Sequence, residues 1–241
     1  MIFLMKRRTM VTYKPDFRKA YKLANEILLK SREIKGFPFS VTKVIKEISD
    51  IQCCSFDRAH KYDIDIEAFG SDAAILTEYA GRLIIFYNQQ DIQPRIRFSM
   101  LHEIGHYLLE HKLKTENLNL YEKQEVETNY FAAQLLMPEQ TLIEIQARGK
   151  RISSDFLVSS FQVSKEAARK RIETLNKIKP EYRTRDEKEF DDLILLKYKM
   201  FLDSIMPAKN SYNWFDDEYE RQRERDTWCY TKHRLDLQIM L

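Results

Sequence analysis

Near the start of the chain, apolar residues recur at intervals of three and four. Ala20, Leu23, Ala24, Ile27 and Leu28 form one stripe, and Asp16, just after Pro15, is placed to cap it. The pattern predicts a helix over 16–30. Gly36 and Pro38 break the chain. Ser40 or Thr42 then caps a second predicted helix carrying Val44, Ile45 and Ile48. Residues 51–56 read as a strand and 57–65 as a polar loop, with His60 in it as a surface histidine. Two β-rich runs, 73–77 and 82–87, flank Glu78-Tyr-Ala-Gly81 and predict a hairpin. Residues 88–94 read as a loop.

The run from Phe98 to Leu109 carries Met100, Leu101, Ile104, Leu108 and Leu109, the buried side of a third helix. Gly105 within it costs about 1 kcal/mol relative to Ala. A close approach of another element at that point would explain it. Residues 112–120 read as a loop. A helix over 121–136 follows, with Val126, Tyr130, Ala133 and Leu136 or Met137 at helical spacing. Residues 153–175 predict two short helices with a turn at 161–163, resembling a helix-turn-helix. Lys165, Arg169, Lys170 and Arg171 on its second helix could meet phosphates. From Pro180 the composition shifts. A docked helix over 190–206 would bury Leu193, Leu196, Met200 and Leu202, and Pro207 would end it. Residues 216–226 alternate acid and base and read as a solvated helix. Trp214, Phe215, Trp228 and Tyr230 predict that this tail packs against something. The expectation is a mainly helical α+β fold with a small sheet, in three parts: 1–150, 151–178 and 179–241.

Composition narrows the class. The 241 residues are 44% hydrophobic and 32% charged, ordinary for a globular protein. A formal net charge of +3 does not demand a nucleic-acid partner. Cys53 and Cys54 are adjacent and Cys229 is remote, which supports neither a disulfide framework nor a cysteine-based metal site. The opening Met-Ile-Phe-Leu-Met is too short for a signal sequence, and its charges follow rather than precede it. Met10 is an alternative start. No stretch has the length of a membrane span. A reducing, cytoplasmic setting is expected.

The chemistry lies in the third helix. His102 and His106 are four apart and share a face, so both imidazoles can reach one metal ion, and their neutral nitrogens suit zinc. Histidines at this spacing are common in packing roles. What sets this pair apart is Glu103 in register, near enough to serve a metal-bound water without binding the metal itself. A third protein ligand is then required. Carboxylates at 122, 125 and 127 are candidates. Glu125 shares a face with Asn129, which could hydrogen-bond a ligand from behind. Glu127 lies about 200° round the helix from Glu125, so the two cannot face one ion. Glu125 is favoured, with Glu127 as the fallback. His111 is read as a packing or capping residue at the helix end, facing away from the ligand pair, and Tyr107 is given no catalytic role.

The string Arg97-Phe-Ser-Met-Leu-His-Glu-Ile-Gly-His106, followed by Glu125-Val-Glu-Thr-Asn-Tyr-Phe-Ala-Ala-Gln-Leu-Leu-Met-Pro138, resembles the ImmA/IrrE family of zincin-like metallopeptidases. Thr128, where that family has Ala, is a small departure. The resemblance covers about 16–138 and supports Glu125 as third ligand. It implies a zincin-like core in 1–150, zinc as cofactor, and a cytoplasmic protease whose substrate is a helix-turn-helix repressor. His102, His106 and Glu125 would bind zinc and Glu103 would be the catalytic base. The other reading is a non-catalytic regulatory protein that binds a repressor, an antitoxin partner or DNA. DNA binding through 153–175 would also be compatible with the protease reading.

Overall fold

The computed structural model describes residues 14–67, 70–112, 117–178 and 182–207. It is a mainly helical α+β fold with one small mixed sheet. The N-terminal residues, Cys229, the aromatic residues of the tail and the stretch 216–226 lie outside the described residues.

Helix α1 (Phe17–Lys30) starts where Asp16 accepts the Lys19 N–H, and it buries Ala20, Ala24 and Leu28. Helix α2 (Val41–Ile48) follows, but Ser40 makes no side-chain cap bond to it. Instead the Ser40 hydroxyl lies 3.2 Å from that of Thr42. Strand β1 (Gln52–Ser55) runs into α3 (Phe56–His60), where a loop was expected. Ser55 accepts the Arg58 N–H at 3.3 Å, and Ala59 is buried, so one cap and one apolar contact suffice for this short helix. His60 is exposed on it.

Strands β2 (Ala74–Tyr79) and β3 (Arg82–Tyr87) form the expected hairpin. Tyr79 pairs with Arg82 across Ala80 and Gly81, both at positive φ (50° and 73°), the turn that matches strand twist. The sheet order is β1-β3-β2, with β1 parallel to β3. Alternation sets its two faces. Leu76 and Ile85 join the main core, while Ile75 and Phe86 turn toward Ala59, Ile64 and Ile66.

Helix α4 (Gln93–Leu108) begins before Phe98, because Pro94 is tolerated in a first turn. Helix α5 (Leu118–Leu136) also begins early, since Asn117 accepts the Leu120 N–H. Its buried face shares Leu136 with the predicted stripe but is otherwise shifted from it. Val126 is exposed, whereas Thr128, Phe131, Ala132 and Leu135 are buried. Polar Gln124 and Glu127 lie on that inner side and hid it from an apolar count.

Helix α6 (Glu139–Ala147) leads to α7 (Ser154–Phe161) and α8 (Lys165–Leu175), capped by Ser153 and Ser164. Gln162 takes the left-handed conformation between them (φ 51°). Arg97 of α4 donates to the Phe161 and Gln162 carbonyls at 2.9 and 2.8 Å. Its charge thus meets the negative end of α7, and burial lowers its pKa to about 10. On α8, Lys165, Arg169 and Lys170 are exposed. Arg171 is not available to phosphates as expected. It is 1% exposed, donates to the Met137 carbonyl at 2.9 Å and bonds Gln134.

The expected helix over 190–206 is two helices, α9 (Arg185–Lys197) and α10 (Lys199–Ile205), with a Thr184–Glu187 capping box at the start. Leu193, Leu196 and Met200 are exposed, contrary to expectation. Ile194, Tyr198 and Leu202, spaced by four, face the core instead. Lys197 reaches the carbonyls of Leu28, Leu29 and Ser31, and Tyr198 that of Leu28. They close the carbonyl end of α1, and the main hydrophobic cluster continues through α7–α10. Among the described residues no helix is long and apolar enough to cross a membrane.

Candidate metal centre

Helices α4 and α5 meet at Gly105. A Cβ there would lie 2.9 Å from Phe131 Cδ1 and 3.3 Å from Thr128 Cγ2, which is the close approach its sequence position suggested. The contact sets the faces that carry His102, His106 and Glu125 against each other. Gly105→Ala would gain about 1 kcal/mol of helix propensity, but overpacking against a buried ring costs about 1–3 kcal/mol. The expected net is a loss in denaturant stability together with weakened metal binding, because α5 must move. A stabilised variant would show that the helices do not press on each other here.

His102 Nε2 and His106 Nε2 are 3.0 Å apart, and each lies 3.3 Å from a Glu125 carboxylate oxygen. Donors 2.0–2.1 Å from a tetrahedral zinc stand about 3.3–3.4 Å apart. The triangle therefore fits a metal of that size. The ring protons support this. His102 Nδ1 lies 3.2 Å from Asn129 Oδ1, an acceptor, so its proton belongs there and Nε2 carries a lone pair. His106 Nδ1 lies 3.2 Å from His111 Nδ1, which accepts a proton from it when His111 carries its own on Nε2 toward Glu127. Two lone pairs and a carboxylate oxygen facing one point need a cation. Burial disfavours charge on His102, but the hydrogen bond and charge of Glu125 outweigh it and push its pKa up. The same two imidazoles hold the Glu125 carboxyl far below the usual range.

Glu103 points the other way, toward the sheet, and one oxygen accepts the Leu76 N–H of β2 at 2.9 Å. Burial raises its pKa against that bond and the nearby histidines. Tyr121, one turn before Glu125 and half exposed, has its phenol raised chiefly by the Glu125 charge. Tyr107 is also exposed. Glu127 lies apart from the donor triangle. It bonds His111 Nε2 at 3.0 Å and the Asp16 N–H, with Lys123 3.5 Å away.

His111 departs from its expected place. Helix α4 ends with Glu110 at φ 61°, the His111 N–H on the His106 carbonyl (3.0 Å) and the Glu110 N–H on that of Tyr107 (3.1 Å). This Schellman turn folds the chain back and lays the His111 ring against His106, with Nδ1 to Nδ1 3.2 Å. Helical angles, which assume the helix continues, miss this. Tyr121 could have been found in the sequence from its spacing of four to Glu125.

Residues 58–173 match the family model described as the IrrE N-terminal-like domain of peptidase M78. This segment is similar to that peptidase family. The match supports a metallopeptidase-type function. Among curated proteins the comparison finds no match. The matched segment contains every residue of the donor triangle, Glu103, His111, Glu127, α7 and all but the last two residues of α8. Asp16, Lys197 and Tyr198 fall outside it.

Proposed function

We propose that the protein is a zinc-dependent endopeptidase of the cytoplasm, with His102, His106 and Glu125 as ligands and Glu103 as general base. The observation that carries this reading is the donor triangle, with both Nδ1 atoms turned away from it toward hydrogen-bond partners. Zinc bound there would polarise the scissile carbonyl and acidify a water molecule to near neutrality. Glu103 supplies what remains. The Leu76 N–H fixes one of its oxygens and leaves the other free to take a proton. Burial raises its pKa, which brings it closer to a working base, and the proton it accepts can then pass to the leaving amine. Strand β2 is a sheet edge beside this carboxylate, where an extended peptide could add a strand. Tyr121, whose phenol interacts with Glu125, offers a donor for developing negative charge.

The substrate reading is a protein, specifically a helix-turn-helix repressor, and it rests on the resemblance in the two motifs. Elemental analysis of purified wild type should give about one zinc per chain. His102→Ala, His106→Ala and Glu125→Ala should each lose most of it. Wild type that holds no transition metal after reconstitution would remove the peptidase reading and leave the binding-protein one. A repressor encoded beside the gene, left intact by the zinc-loaded protein, would remove the substrate assignment alone.

A further inference from the structure

His111 and Glu127 are not needed to complete the donor triangle, yet their side chains are only 7% and 5% exposed directly behind it. Enclosing a carboxylate takes it out of water, which costs several kcal/mol unless it is paired and hydrogen-bonded. A leucine would fill such a space without that penalty. The arrangement of protons gives these two polar groups a reason to be there.

For His106 Nε2 to offer a lone pair, its Nδ1 must carry the proton. That proton points at His111 Nδ1, 3.2 Å away, which must therefore accept it. His111 then carries its own proton on Nε2, and the group facing that nitrogen at 3.0 Å is Glu127 Oε2, an acceptor. One assignment satisfies all three residues. The other Glu127 oxygen accepts the backbone N–H of Asp16, the residue that caps α1. His102, by comparison, is held by one amide oxygen on exposed Asn129.

We propose that His111 and Glu127 are positioning residues: they hold His106 in its Nδ1–H form, aimed at the metal point, and tie that aim to the entry of α1. The inference rests on the reading that His102, His106 and Glu125 bind a metal. Neither residue touches the metal or substrate. Both act through His106.

The test is zinc affinity of the full chain, measured by competition with a chromophoric chelator, with the thermal midpoint of the metal-free protein recorded beside it. The variants are His111→Leu, His111→Asn and Glu127→Gln. Loss of a group that orients a ligand weakens metal binding about 10–100-fold. That range is expected for His111→Leu. His111→Asn, whose amide oxygen can stand where Nδ1 stood, should recover part of the loss. Glu127→Gln should fall on the order of tenfold, and it keeps the side-chain shape should His111→Leu not fold. Imidazole nitrogen spectra of the metal-free protein should show His106 as the Nδ1–H form in wild type and a mixture of forms in the variants. Wild-type zinc affinity in both His111→Leu and Glu127→Gln would overturn the proposal, whatever happens to the thermal midpoint, because that pattern belongs to packing. If wild type itself holds no zinc, the peptidase reading falls with it. If wild type holds zinc and the variants hold it equally tightly, only this inference falls.

Discussion

Glu103→Gln is expected to lower peptide-bond hydrolysis about 10²–10⁴-fold while the protein keeps its metal. The amide has nearly the shape of the carboxyl, and its oxygen can still accept the Leu76 N–H. It cannot take a proton from water. The change therefore isolates the base from the scaffold, and the loss corresponds to about 3–5 kcal/mol of barrier. The measurement is kcat on a cleaved protein substrate beside zinc content by elemental analysis. Turnover within about tenfold of wild type would mean that another group moves the proton. Loss of zinc together with activity would mean that Glu103 belongs to the metal shell.

The largest stability effect is expected from Arg171→Met, a loss of about 3–5 kcal/mol. Arg171 is the fully buried cation of a polar cluster shared by α1, α5, α6, α8 and α9. Its guanidinium bonds the Met137 carbonyl and Gln134, and it lies 4.0 Å from Glu139 and 6.0 Å from the Tyr130 ring centre. Gln134 in turn bonds Asn25 and Gln140, and Arg183 bonds Glu139, Asp191 and Tyr21. Methionine leaves the Met137 carbonyl without its partner, costs the Gln134 amide oxygen one of its two donors and leaves Glu139 under-neutralised in a dry place. Because a domain of this kind is stable by about 5–15 kcal/mol, the variant should unfold at a much lower denaturant concentration with an unchanged slope. A loss below about 1 kcal/mol would show that water enters the cluster and screens it.

Much of this was legible in the sequence where a local rule governs. Asp16 caps α1, the Ala80-Gly81 turn makes the hairpin, and Gly105 marks the meeting of α4 and α5. The spacing of four that puts Glu125 and Asn129 on one face is borne out by the distances from each to the histidines. What could not be read depends on contacts between distant segments. The buried face of α5 was misplaced because Gln124 and Glu127 are inside, and a polar residue inside is explained only by its partners. Arg171 looked like a phosphate contact for the same reason: its partners lie in α5 and at the start of α6. Leu193, Leu196 and Met200 repeat at helical spacing, but so do Ile194, Tyr198 and Leu202, and only the position of α1 decides which set is covered. His111 was misread because its place follows from how α4 ends.

The closure of α1 by Lys197 and Tyr198 has a consequence for synthesis on the ribosome. The carbonyls of Leu28, Leu29 and Ser31 emerge early, and the groups that satisfy them emerge about 170 residues later. Asp16 likewise waits for Glu127. Contacts of such long range form late in any folding order. A growing chain can therefore display both histidines well before the scaffold around them is finished, and the nascent protein passes through a stage in which its candidate metal donors are spelled out but not yet held in place.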